Sequence, residues 1–172
     1  MKLDPTEPYS VAKGYVQSAY SMMANPHRLL QLQDDISLFM AFHMLCGFAT
    51  ELYLKAFLAH KGYDDAQLKQ RPFGHDLVRL RDQCRLEGLY SSGADKLVDL
   101  LFDKHKNFEF RYMKRSSLYE TIDLRAIFFA FSSLDRLVDT AIGASVSKYM
   151  TLGRRGWRFP SDGLWRLPGA NA

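Results

Sequence analysis

Glu51 and Lys55 stand four residues apart in Glu51-Leu52-Tyr53-Leu54-Lys55, inside the longest apolar run of the chain, Ile36 to Ala59. On a helix that spacing puts the two side chains on one face, with the acid on the favourable N-terminal side of the base. Charges in such apolar surroundings are costly unless paired and hydrogen-bonded. The pair therefore reads either as an ion pair at the edge of a core or as a site in which Glu51 orients a cationic group beside a cleft. Candidate partners follow downstream. His75 and Asp76 come after Phe73-Gly74 at an expected helix start, where Asp76 can cap the helix and His75 can hydrogen-bond or move a proton. Arg111 and Tyr112 close the aromatic segment Phe108-Glu109-Phe110-Arg111-Tyr112, in which the guanidinium can stack on a ring, pair with a carboxylate or grip a phosphate through two parallel hydrogen bonds.

Other chemistries find less support. His43 and Cys46 lie one helical turn apart, but no paired Cys-x-x-Cys spacing accompanies them, and no metal site or cofactor is expected. There is no glycine-rich phosphate loop, no Gly-x-Ser-x-Gly elbow and no His-Glu-x-x-His. Ser116-Ser117 reads as a helix cap. The segment Gly153-Arg154-Arg155-Gly156-Trp157-Arg158-Phe159 interleaves arginine with aromatic rings, a composition suited to single-stranded nucleic acid or to packing on the chain's own bundle or on a partner subunit.

The elements that must position these residues are helical throughout. A first helix spans about Tyr9 to Met23, with Val11, Tyr15, Val16, Ala19 and Met22 at helical spacing, and Asn25-Pro26 ends it. A second starts near Asp34-Asp35 and runs to Lys61, with Gly62 as its stop. A polar connection, Tyr63 to Arg71, leads to a third helix carrying Leu77, Leu80, Cys84 and Leu89. Ser91-Ser92-Gly93 separates it from a fourth with Leu97, Leu100, Leu101 and His105. The last long helix covers about Leu118 to Tyr149, with an apolar stripe that includes Ile122, Ile127, Phe128, Phe131, Leu134, Leu137, Val138 and Ile142. The fold expected is all-α, an antiparallel bundle of four to five helices occupying residues 1–150, followed by a basic Arg/Trp/Gly/Pro tail, 151–172.

Of the formal charge of +4, the tail supplies +3, from Arg154, Arg155, Arg158 and Arg166 against Asp162. The remaining 150 residues carry only +1, so net charge does not argue for a basic face on the bundle. Two cysteines, Cys46 and Cys84, provide no disulfide framework, and no secretory signal is visible, so a cytoplasmic location with reduced thiols is expected. A membrane-spanning segment needs about 20 apolar residues. The run from Ile36 is long enough but contains His43, Thr50, Glu51 and Lys55, each central charge costing about 2.5–3.5 kcal/mol on insertion. A buried core helix is expected, with no membrane contact.

Glu51-Leu52-Tyr53-Leu54-Lys55 continuing to Gly62, then Gly74-His75-Asp76-Leu77 continuing to Leu80, then Phe110-Arg111-Tyr112, together resemble the HEPN superfamily over about residues 34–149. The resemblance implies a helical bundle of four or five helices, frequently a homodimer, in toxin–antitoxin, phage-defence or RNA-processing settings. Ribonuclease members of that family cut RNA without metal, using an arginine, a polar residue, then three to five further residues and a histidine. In this chain Tyr112 follows Arg111, and Ser116 to Leu118 contain no histidine. The function expected is thus a HEPN-like module binding a nucleotide, RNA or a partner protein such as an antitoxin or nucleotidyltransferase. The alternative is a metal-independent endoribonuclease with a rearranged set, His75 and Arg111 acting catalytically and Glu51 and Lys55 positioning them.

Overall fold

A computed structural model describes residues 2–24, 36–107 and 124–144. Within them are six helices: α1 (Thr6–Ala24), α2 (Ile36–His60), α3 (Asp65–Lys69), α4 (Leu77–Leu86), α5 (Ser92–Lys106) and α6 (Leu124–Ile142). There are no strands among the described residues, and the fold is an all-α helical bundle. None of the described helices is long and apolar enough to cross a membrane.

The bundle is organised around α2. Its sequence is apolar on all sides, the pattern of a helix enclosed by protein rather than one lying on a surface. It packs against α1, α4, α5 and α6, which also contact one another in the pairs α4–α5, α5–α6 and α1–α6. Phe42, Cys46, Ala49, Tyr53, Leu54, Ala56 and Leu58 of α2 are all fully buried, and they share one core with Tyr9 and Val16 of α1, Leu80 of α4, Leu97 and Leu101 of α5, and Phe128 and Phe131 of α6. At about 1.5–3 kcal/mol per large apolar side chain buried, this shared core is the main stabilising contribution.

Surface ion pairs set the orientation of α4 against α5. Arg81 reaches Asp99 at 3.1 Å and Arg85 reaches Asp95 at 2.7 Å, so four residues forward on one helix correspond to four residues back on the other. The two helices are therefore antiparallel. Exposed pairs of this kind are worth under about 1 kcal/mol each and act on register more than on stability.

The expected elements recur with several corrections. The polar connection between Tyr63 and Arg71 contains α3, whose first turn is held by a capping box: Asp64 accepts from the Gln67 amide while the Gln67 side chain accepts from the Asp64 amide. Helix α4 ends at Leu86, and Leu89 is buried from the turn beyond it rather than from the helix face. Ser91 caps α5 and accepts from the Ala94 amide, so Ser92 and Gly93 belong to the helix instead of separating it from the previous one. Helix α6 is described over Leu124–Ile142 and is followed by Gly143 at a φ of 68° that L side chains avoid; the rest of the expected span, 118–123 and 145–149, lies outside the described residues. Val11 and Leu137, expected on apolar stripes, are 50% and 37% exposed. Phe108 to Tyr112, with Arg111, and the tail from 151 lie outside the described residues, as does the start expected for α2 at Asp34-Asp35.

Candidate functional site

Three elements bring their polar residues to one point. Helix α2 contributes Glu51 and Lys55, the loop between α3 and α4 contributes His75, and the last turn of α5 contributes His105. Glu51 is almost completely buried and accepts three hydrogen bonds. Lys55 Nζ donates to Oε1 at 2.7 Å, while His75 Nδ1 and His105 Nε2 both reach Oε2, at 2.9 and 2.8 Å. Lys55 and His105 are buried with it, whereas the His75 side chain is 45% exposed.

Burial pushes the Glu51 carboxyl up, but the hydrogen bond from His105, the Lys55 ammonium and the bond from His75 outweigh it and hold the group down to about 2. Glu51 is therefore ionised at neutral pH and can only accept. That fixes the tautomers: both imidazoles place a proton on the nitrogen facing Oε2. His75, when neutral, then carries its basic lone pair on Nε2.

Local sequence explains the convergence. Glycine at position 47, one turn before Glu51, lets the His105 ring lie directly on α2, because a Cβ at that position would run into His105 Nδ1. The Phe48 ring meets His105 edge to face at 5.4 Å. Gly74, at a φ of 46°, turns the loop so that His75 follows immediately. Asp76 then caps α4 by accepting from the Arg79 amide at 3.2 Å, and its other oxygen accepts from Lys106 at 2.8 Å. Burial pushes the Asp76 carboxyl up, but the Lys106 bond and the Arg79 amide outweigh it and leave it lowered. Successive residues of the loop, His75 and Asp76, are thus fastened to the end of α5, through Glu51 in one case and Lys106 directly in the other.

On the solvent side of His75 the structure opens into a groove of about 830 Å³ lined by Lys69, Arg71, Pro72, Phe73, Gly74, His75, Asp76, Arg79 and Lys106. Among the described residues, four cationic side chains line it against a single carboxylate. Asp76 answers Lys106 and lies 3.9 Å from Arg79, and Lys69 pairs with Asp65 in an exposed contact of 2.7 Å. Arg71 has no ion-pair partner among the described residues. The groove is suited to an anion with several charged oxygens.

The expected constellation is thus assembled in part. Glu51, Lys55 and His75 come together, Asp76 lies beside them but bonds Lys106 and the Arg79 amide instead, and the Glu51–Lys55 pair is buried, not a surface pair. Arg111 and Tyr112 lie outside the described residues. Sequence pattern presents His105 only as one position on the inner face of its helix. The signal that singles it out is its register, because it follows Leu97 and Leu101 at four-residue steps and so faces the core. His43 and Cys46 take no part. The His43 Nδ1 bonds the Phe39 carbonyl at 2.7 Å, burial lowers its pKa to about 4, and burial pushes the Cys46 thiol up. Cys84 donates to the Leu54 carbonyl at 3.4 Å.

A second buried polar network joins α1, α2 and α6 on another side of α2. Tyr53 donates to Asp135 at 2.8 Å, and Lys13 lies 3.5 Å from the same carboxylate and 3.1 Å from the Tyr9 hydroxyl. Both tyrosine rings are fully buried, and burial shifts Asp135 upward, with the Lys13 charge and the tyrosine hydroxyls opposing. This network ties three helices together.

The class of protein so defined is an all-α bundle with a Glu–Lys–His–His network, buried except at His75, opening into a basic groove. Comparisons with known protein families, with curated proteins and with solved structures returned no match for this chain.

Proposed function

We propose that this chain is a HEPN-like helical module that binds RNA through its phosphate backbone along the groove between the α3–α4 loop and the end of α5. The observation that carries the reading is the lining itself: Lys69, Arg71, Arg79 and Lys106 surround one opening, with Asp76 the only acid there among the described residues. Phosphate neutralisation by such side chains releases condensed counterions and makes binding strongly salt-dependent. The RNA-processing setting implied by the family resemblance agrees in direction, and the homodimer it implies belongs to the same proposal, tested by sedimentation.

The test is fluorescence anisotropy of a labelled single-stranded RNA in EDTA, titrated at several salt concentrations. Removing one cation that neutralises a phosphate reduces the slope of log affinity against log salt by about 0.7. Arg71→Ala and Arg79→Ala, both exposed, are expected to weaken binding and to flatten that slope together by about 1.4. Unchanged affinity and slope in the double variant would sink the reading.

RNA cleavage is the second reading, favoured by the Glu51–His75 contact. A carboxylate on Nδ1 holds an imidazole in the tautomer that leaves Nε2 able to take a proton. Under this reading, RNA incubated with the protein in EDTA is cut, and His75→Ala abolishes the cutting. Intact RNA after prolonged incubation removes it.

A further inference from the structure

Glu51 Oε2, His75 Nδ1 and His105 Nε2 come from three different elements and lie within 4.8 Å of one another. We propose that they form a binding site for a divalent transition-metal ion of the zinc class. Two histidines and one glutamate are a donor set used by zinc sites that keep a position open for water or substrate. The proposal does not rest on RNA binding, since none of its three ligands is a cation of the groove, although His75 also lines it.

Two of the three donor separations are close to those required, and the third lies within 4.8 Å. Around a tetrahedral ion with bonds of about 2.0–2.1 Å, neighbouring donor atoms stand about 3.3–3.4 Å apart. The two nitrogens are now 2.9 and 2.8 Å from Oε2, so each must withdraw by about half an ångström. His75 has the freedom to do so because it sits on a loop and is partly exposed. His105 is the fixed ligand, seated on Gly47 and against Phe48. Lys55 holds Oε1, leaving Oε2 as the coordinating oxygen, and thereby orients the carboxylate from outside the ligand set. No electron transfer is involved. Each neutral imidazole changes tautomer on binding: the proton facing Oε2 leaves to water and one is taken up on the opposite nitrogen, so no net proton is released.

Position adds a consequence for the groove. His75 is both the exposed ligand and a lining residue, so a fourth ligand, water or an oxygen of a bound anion, reaches the ion from the groove side. With the ion in place, Nε2 of His75 carries the proton and cannot act as a base. Metal binding and metal-independent cleavage by His75 are therefore mutually exclusive states of one site.

The experiment uses the full chain, stripped with EDTA, dialysed, and titrated with zinc chloride by calorimetry and with cobalt chloride by visible absorption. The expected result is one equivalent bound, with the d–d absorption of a four-coordinate cobalt site. His75→Ala, whose exposed side chain can be removed without opening the core, is expected to weaken binding at least tenfold, the scale on which even outer-shell partners act. Glu51→Gln and His105→Gln are expected to do the same where circular dichroism shows them folded, and His60→Ala, at the exposed end of α2, to leave binding unchanged. Absence of saturable binding, or binding unaffected by His75→Ala, overturns the proposal.

Discussion

Replacing Glu51 by glutamine is the sharpest probe of the network, because it removes one charge and keeps the volume. The glutamine carbonyl can accept from Lys55, and its amide can donate to one imidazole that changes tautomer. The other imidazole then loses its partner, and the Lys55 ammonium remains buried without a counter-charge. The size of the effect follows from the carboxyl's own titration. Its pKa falls from an ordinary 4.5 to about 2 on folding, and each pH unit of displacement is worth about 1.4 kcal/mol, so ionised Glu51 contributes about 3 kcal/mol at neutral pH. Breaking a buried ion pair by removing one partner costs about 3–5 kcal/mol, which agrees. Between pH 4.5 and 2 the unfolded chain holds the proton and the folded chain does not, so acid favours unfolding. The contribution is complete above 4.5 and is lost as pH falls toward 2. Urea unfolding of wild type and Glu51→Gln at a series of pH values reads this directly. The two stabilities are expected to differ by about 3 kcal/mol at pH 7 and to converge steadily below pH 4.5. Curves that stay parallel from pH 5 to pH 2, or a neutral difference under about 1 kcal/mol, would refute the assignment of Glu51 as the ionised centre of the site.

Two further substitutions probe the supporting structure. Gly47→Ala should displace the His105 ring from α2 and destabilise the protein by about 1–3 kcal/mol, the usual cost of overpacking, although alanine is the better helix former; thermal melting that shows a gain would contradict the close approach. Tyr53→Phe should cost about 1.5–3 kcal/mol by removing a hydrogen bond to the buried Asp135, with RNA affinity unchanged; weaker RNA binding would connect that network to the groove.

How much of this is legible in the sequence differs by element. Helix α2 is evident because an apolar run of that length with two charges four apart has few other solutions, and its lack of a polar face already implies a central place in the bundle. Helix α3 is not, since its five residues are mostly polar and owe their conformation to the Asp64–Gln67 capping box; the Asp-x-x-Gln pattern is a signal, but a local one that says little without the loop around it. Periodicity also cannot tell which apolar residues lie beyond the reach of a neighbouring helix, and so Val11 and Leu137 fall on stripes that leave them exposed.

The site shows the same division more sharply. The Glu51–Lys55 contact depends on helix geometry alone and can be read from spacing. The bonds from His75 and His105 span 24 and 54 residues and depend on how α4 and α5 dock, which no local pattern encodes. What the chain does carry is a set of permissive residues whose purpose becomes clear only on docking. A glycine inside a helix costs about 1 kcal/mol relative to alanine. At position 47 that cost is offset by the approach of His105, which in turn completes the hydrogen bonding of Glu51. Gly47, Glu51 and Lys55 follow one another at four-residue steps along a single face of α2, as small residue, acid and base. That face, a break in an otherwise apolar helix, is a prepared seat for a histidine from another element, and that histidine turns a local ion pair into a network joining two helices.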